Sequence, residues 1–290
     1  MTAEVVVSAP DPVARASSGG APKTRGGTAI GEAFRAAAAS GRAALIPYAV
    51  AGYPDAETAR TIALAAIDAG ADVLEIGLPY SDPLADGLTL QRASSVALKH
   101  GATIERSLEL IADLHRARPA IPLVAMGYVN QLLGGRDGSS VLRRMAEAGV
   151  SGLILADLTP DEGASLQAEA ATHGMALIFL VTPTTPPERR RMIAERSGGF
   201  LYAVSLAGVT GARRSLPRGI DRFLADVRAI SPVPVAVGFG VSRPEHARRL
   251  APHADGVIVA SALVDALGPD GTDVGRMTAL VKELAAATRR

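Results

Sequence analysis

The chain has 290 residues, with 30 Lys and Arg against 29 Asp and Glu, a formal net charge of +1, 48% hydrophobic residues and no Cys. So even a balance gives no electrostatic case for nucleic acid or an anionic membrane surface. The missing Cys excludes disulfides, thiolate catalysis and Cys-ligated metal, and fits a cytoplasmic enzyme. No uninterrupted apolar run approaches the roughly 18 residues that cross a bilayer.

Residues 1–28 are rich in Ala, Ser, Gly and Pro, and Val5-Val6-Val7 is their only apolar cluster. Three residues are too few for a signal-peptide core of roughly 7–15. So little apolar surface cannot offset the entropy of ordering the segment, and a disordered tail is expected. From residue 29 to 290 one theme recurs, a short apolar run, a turn and a helical pattern, and a single domain is expected there.

A helix over 31–39 precedes the first strand and is placed to plug the bottom of a barrel. Strands are predicted over 44–50, 73–76, 122–126, 152–156, 176–181, 200–204, 233–237 and 256–259. They are apolar without clean alternation, as parallel strands buried on both faces should be. Helices are predicted over 56–69, 139–148, 165–172, 218–229 and 274–287. Another opens near Thr103, with Ile104, Leu108 and Ile111 on one face. Thr159-Pro160-Asp161-Glu162, Thr185-Pro186-Pro187-Glu188 and Ser242-Arg243-Pro244-Glu245 each follow a strand and match the Ser/Thr-x-x-Glu capping box.

Eight strands with interleaved helices suit a closed (β/α)8 barrel, the TIM barrel, or an open doubly wound sheet. Eight is the closing number and no Gly-x-Gly-x-x-Gly opens the first helix, so the α/β barrel is the expected fold. Barrel enzymes carry their sites on the loops after the strands. There Glu75 interrupts an apolar strand, where an unpaired carboxylate is costly, and burial would raise its pKa toward neutrality. Asp86 follows in a Pro- and Gly-punctuated loop, and the two would make an acid/base couple. A salt-bridged Glu75 with Asp86 as a helix cap is the plainer alternative.

The last three strand ends carry Gly208-Val209-Thr210-Gly211, Gly238-Phe239-Gly240 and Ala260-Ser261-Ala262. Their backbone N–H groups and a helix N-terminus suit a phosphate, although such glycines also simply turn a chain. The five His residues are scattered over predicted helices, so no metal site is expected. Arg189-Arg190-Arg191 and Arg289-Arg290 read as solvated faces, whereas Arg213-Arg214 lies beside the phosphate cradle. No Lys ends a strand, which leaves acid/base catalysis as the route to any carbon–carbon chemistry.

The run from Glu75 to Gly87, Glu-Ile-Gly-Leu-Pro-Tyr-Ser-Asp-Pro-Leu-Ala-Asp-Gly, resembles the signature of the tryptophan synthase alpha subunit family. The match continues through Met126-Gly127-Tyr128-Val129-Asn130, Ala156-Asp157-Leu158-Thr159 and the three strand ends above, over about residues 29–288. The resemblance implies cleavage of indole-3-glycerol phosphate to indole and glyceraldehyde 3-phosphate. It implies catalytic roles for Glu75 and Asp86, with Tyr202 beside the glutamate. It implies an indole pocket of Tyr48, Met126, Tyr128, Ala156, Ile154, Thr210 and Phe239, and a phosphate site of Gly211, Gly240, Ala260 and Ser261.

No metal or organic cofactor is implied for this chain. The family assembles as α2β2 with a PLP-dependent beta subunit, through loops that here include Pro83, Asn130 and Pro160. Residues 206–217 read as a lid. Three departures stand out: Ala260 for a usual Gly, Leu206 for an occasional Arg, and Gln131 for a frequent Pro. Another phosphate-binding barrel, such as an indole-glycerol-phosphate synthase or a phosphoribosyl isomerase, would need a catalytic Lys or a different acid pair. A non-catalytic barrel that only regulates a beta subunit would not need Glu75 and Asp86.

Overall fold

The computed structural model describes residues 20–134, 137–205, 216–238 and 240–290. Its strands are β1 (Ala44–Val50), β2 (Leu74–Gly77), β3 (Leu123–Gly127), β4 (Val150–Leu155), β5 (Ala176–Ile178), β6 (Leu180–Val181), β7 (Leu201–Val204), β8 (Val235–Gly238) and β9 (Gly256–Val259). All neighbours are parallel, in the order β5-β4-β3-β2-β1-β9-β8-β7-β6. The two ends of that order are consecutive in the chain and separated only by Phe179. The sheet therefore curls into a nearly closed barrel. The eight expected strands are present, with the fifth interrupted once.

At the interruption the Phe179 N–H leaves the ladder and donates to the Ser197 hydroxyl at 3.1 Å. That hydroxyl in turn donates to the Phe200 carbonyl at 2.7 Å. The Phe179 carbonyl accepts the Tyr202 N–H at 3.1 Å, so the backbone groups stay satisfied across the break.

Every residue of β1, β2 and β3 is buried, as expected of strands covered on one side by helices and on the other by the barrel interior. Paired residues share a face of the sheet, and the register links Tyr48, Glu75, Val124, Gly152 and Ala176 in one tier. One tier nearer the C-terminal end lie Val50, Gly77, Met126, Ile154 and Ile178. A side chain on Gly152 would meet Ile178, Ile30 and Val124 within 3.5 Å, which marks this face as the interior.

The bottom is sealed by the helix Arg25–Ala39, whose Ile30 and Phe34 are buried. Its first turn is capped by the Thr24 hydroxyl, which accepts from the Gly27 N–H at 2.9 Å. Room for the plug comes from absent side chains. A methyl group at Gly256 would lie 2.7 Å from the Phe34 ring, and one at Gly152 would lie 3.0 Å from Ile30. The helix starts six residues before the expected 31, and the boundary drawn between 28 and 29 falls inside it. Ala21 already donates to the Glu195 carbonyl at 2.7 Å, which ties the preceding turn to the barrel.

The three capping boxes are not made as read. Helices Pro187–Arg196 and Pro244–Leu250 start where expected, but their caps are Pro186 and Arg243, with no side-chain cap bond. Thr185 instead accepts from the Thr182 N–H at 3.1 Å, closing its own turn. Thr159 bonds Glu162 side chain to side chain, and the helix Ala164–Thr172 begins only after Gly163. The helix Leu88–Lys99 was not expected at all. Its buried Leu90, Ala93, Ser94 and Ala97 follow helical spacing, but Gly87 opens it without a side-chain cap. Among the described residues no helix is long and apolar enough to cross a membrane.

Candidate active site at the barrel mouth

Glu75 stands in β2 with its side chain in the barrel, 1% exposed, and one carboxyl oxygen has no hydrogen-bond partner. Burial, and then the nearby Asp86 charge, push its pKa up to about 8. A half-filled buried carboxyl group is expensive, so nothing structural explains its presence. The salt-bridge alternative fails, because the described ion pairs do not include it.

Asp86 closes over this group from the loop after β2. A turn holds it, with its own N–H donating to the Pro83 carbonyl at 3.0 Å and its carbonyl accepting from the Gln91 side chain at 2.8 Å. It is 5% exposed, and one of its oxygens is likewise unpartnered. Burial raises its pKa to about 6, while a hydrogen bond from the Tyr128 hydroxyl pulls the other way. That hydroxyl also accepts the Ala85 N–H at 3.1 Å, so one phenol holds two consecutive residues of the loop. Asp86 caps no helix, since Gly87 occupies that position.

Two tyrosines complete the chamber. Tyr48 on β1 pairs in register with Glu75, and Tyr202 on β7 pairs with Leu180 of the neighbouring β6. Burial, together with the charges of Asp86 and Glu75, holds both hydroxyls protonated well above the ordinary phenol range. Both reach toward the C-terminal mouth through notches in neighbouring strands. A methyl group at Gly77 would lie 1.7 Å from the Tyr48 oxygen, and one at Gly238 would lie 2.4 Å from that of Tyr202. Gly238, read from sequence with the phosphate cradle, thus makes room for a ring. Gly77 was missed; only the strand register reveals it.

Met126 and Ile154 face each other in register, buried, in the tier above Glu75. Ala156 follows β4, half-buried, with its N–H on the Gly127 carbonyl at 3.0 Å. Ser261 is buried and opens the helix Ser261–Ala266, with Ala260 as its cap residue. Gly240, at φ 81, sits in the left-handed region that favours glycine. Thr210, Gly211, Phe239, Arg213, Arg214, Leu206 and all of the 206–217 lid but its last two residues lie outside the described residues. Among the described residues no group of three or more His, Asp or Glu could hold a metal ion.

A parallel barrel with two buried, half-satisfied carboxyl groups of unequal acidity at its C-terminal end defines an acid/base barrel enzyme. The family model for the tryptophan synthase alpha chain matches residues 34–289. The alpha chain of Deinococcus radiodurans is 47% identical over 268 residues, 92% of this chain and 96% of that one. That of Roseiflexus sp. is 46% identical over 258 residues, 88% and 98% of the two chains. A solved Mycobacterium tuberculosis tryptophan synthase superposes with a TM-score of 0.83 at 40% identity, covering 90% of this chain and 98% of that one.

The chain belongs to the tryptophan synthase alpha chain family. It is a lyase of tryptophan biosynthesis that cleaves indole-3-glycerol phosphate to indole and glyceraldehyde 3-phosphate, and its partner is the beta subunit.

Proposed function

We propose that Glu75 and Asp86 are the acid/base pair of this cleavage. The supporting observation is the pair itself, two buried carboxyl groups in one chamber, each with an oxygen left open. With pKa values of about 8 and about 6, Glu75 carries a proton near neutrality while Asp86 is ionised.

The protonated Glu75 donates to indole C3, and the ring becomes an indoleninium. The Asp86 carboxylate accepts the indole N–H and offsets the positive charge that develops there. Glu75, now a carboxylate, takes the proton of the hydroxyl on the carbon attached to C3. That carbon becomes the aldehyde of glyceraldehyde 3-phosphate, and the electrons of the broken carbon–carbon bond return to the ring. Glu75 ends as it began, so one carboxyl group serves as acid and then as base. The protonated ring is itself the electron sink, and neither a metal nor an organic cofactor enters; PLP belongs to the beta subunit.

Tyr48, Tyr202, Met126, Tyr128, Ile154 and Ala156 wall the indole, with Thr210 and Phe239. Gly211, Gly240, Ala260 and Ser261 hold the phosphate, which orients the substrate remotely from the bond that breaks. The barrel together with its plug helix Arg25–Ala39 acts as one catalytic domain, in the cytoplasm, and contact with the beta subunit runs over Pro83, Asn130 and Pro160.

The test is indole release from indole-3-glycerol phosphate by the complex with beta subunit. Glu75→Gln should lose at least about 10²–10⁴-fold in kcat, and Asp86→Asn somewhat less. The wild-type rate should fall below about pH 6, as Asp86 protonates, and above about pH 8, as Glu75 ionises. Folded variants that turn over like wild type would reject the assignment.

A further inference from the structure

Gln131 lies one turn beyond β3, in the short helix Val129–Leu133. Its side chain spans two loops. The amide nitrogen donates to the Pro79 carbonyl at 2.7 Å and to the Leu78 carbonyl at 3.2 Å. The amide oxygen accepts the Tyr128 N–H at a long 3.4 Å. It fits because Gly127 has no side chain: a methyl group there would lie 2.7 Å from that oxygen.

Leu78 and Pro79 open the loop that ends at Asp86, and that loop meets the β3 loop at three places. Gln131 holds its entry. Its middle is held by Tyr80, whose ring stacks on Tyr128 at 5.3 Å and whose hydroxyl accepts from the Asn130 side chain at 3.1 Å. Its exit is held by the Tyr128 hydroxyl, bonded to Ala85 and Asp86. On the far side, the Val129 N–H donates to Asp157 at 2.9 Å, which anchors the β3 loop to β4. The pair of bonds from Gln131 to main-chain carbonyls reinforces the Leu78 N–H bond to the Met126 carbonyl at 2.8 Å, and only the Gln131 pair joins the start of the Asp86 loop to the residues beyond Tyr128.

We propose that Gln131 is a positioning residue for Asp86: by clamping the start of its loop to the β3 loop, it keeps the Tyr128 hydroxyl on the carboxylate. The proposal rests on the reading of Asp86 given above. Losing the clamp lets the loop and the phenol separate, and the carboxylate loses the Tyr128 hydroxyl.

The groups facing Asp86 are Glu75 from β2, Tyr48 from β1, Tyr202 from β7 and Tyr128 from the β3 loop, with Asp157 beyond Tyr128. Of these, the Tyr128 hydrogen bond holds the Asp86 pKa down. The Asp86 titration therefore reports whether the clamp holds, independently of turnover.

Gln131→Leu, which keeps the bulk but not the hydrogen bonds, and Gln131→Ala are compared with wild type in the full chain, alone and with beta subunit. Carbon-13 labelling of the aspartates follows the Asp86 carboxyl through a pH titration, with Asp86→Asn identifying its signal and Tyr128→Phe as the reference for a lost donor. Both Gln131 variants should melt like wild type, and their Asp86 midpoint should rise in the direction of Tyr128→Phe. Their kcat should fall about tenfold with KM changed less than about twofold, the mark of a misplaced group rather than a lost binding contact. A wild-type midpoint in both variants overturns the positioning role. A raised midpoint with undiminished turnover, accompanied by an active Asp86→Asn, upholds the clamp and overturns instead the catalytic reading of Asp86.

Discussion

The two ends of the barrel solve opposite problems. At the bottom, Ile30 and Phe34 fill space left by Gly152 and Gly256, and the surrounding backbone groups are paired. At the mouth, equally small residues, Gly77 and Gly238, make room for tyrosine rings, while two carboxyl oxygens are left without partners. The same device, a missing side chain on a strand, thus serves close packing at one end and a reactive chamber at the other. Stability and chemistry meet in the tier that Gly152 shares with Glu75. Substitutions should therefore divide according to the neighbours they strike, the plug helix or the tyrosine rings.

The largest effect on stability is expected from Gly152→Val. It drives a branched side chain against Ile30, Ile178 and Val124, and overpacking of this kind costs about 1–3 kcal/mol. Thermal unfolding should show the loss, with kcat at a permissive temperature near wild type. A collapse of kcat with an unchanged melting temperature would break the division between the two ends.

Glu75→Gln should move the opposite way and gain stability as it loses activity. The sign follows from the raised pKa. Unfolded Glu75 ionises near its ordinary 4.5, whereas the folded group holds its proton to about 8. Between those values the native state binds more protons, so wild-type stability falls as pH rises and levels off above about 8. Glutamine removes that loss. The variant's advantage in melting should be small at pH 4 and grow as pH rises to about 8. A pH-independent difference would mean that Glu75 is not the buried proton holder.

The smallest effect, and the sharpest test of the shared device, comes from Gly77→Ala. One methyl group displaces the Tyr48 hydroxyl from its notch. Turnover should drop about tenfold, with a stability loss of roughly 1 kcal/mol. Combining it with Tyr48→Phe should recover part of the lost stability, since the clash centres on the oxygen.

Much of this was legible from sequence where one residue's chemistry sufficed. Strands 44–50 and 256–259 match the observed bounds because short apolar runs followed by turn residues have few other fates. Glu75 declared itself as a carboxylate within such a run. What escaped depends on partners distant in the chain. The register that sets Tyr48 beside Glu75, with Gly77 one tier above, and the reach of Gln131 to carbonyls 52 and 53 residues away, have no local pattern. The helix Leu88–Lys99 escaped because its start carries no capping side chain, and the three boxes misled because Gly163, Pro186 and Arg243 stand at the starts instead. The plug helix starts early because Thr24 caps it, a signal hidden in a stretch whose composition reads as tail.

The interruption at Phe179 bears on how this protein behaves in a crowded solution. A barrel escapes the hazard of exposed strand edges only if its circle is complete, since an open rim offers bare N–H and carbonyl groups to another chain. Here the one gap in the circle is bridged by the Ser197 hydroxyl, itself inaccessible to solvent. A serine far from the chemistry thereby denies neighbouring molecules a template for strand-on-strand aggregation.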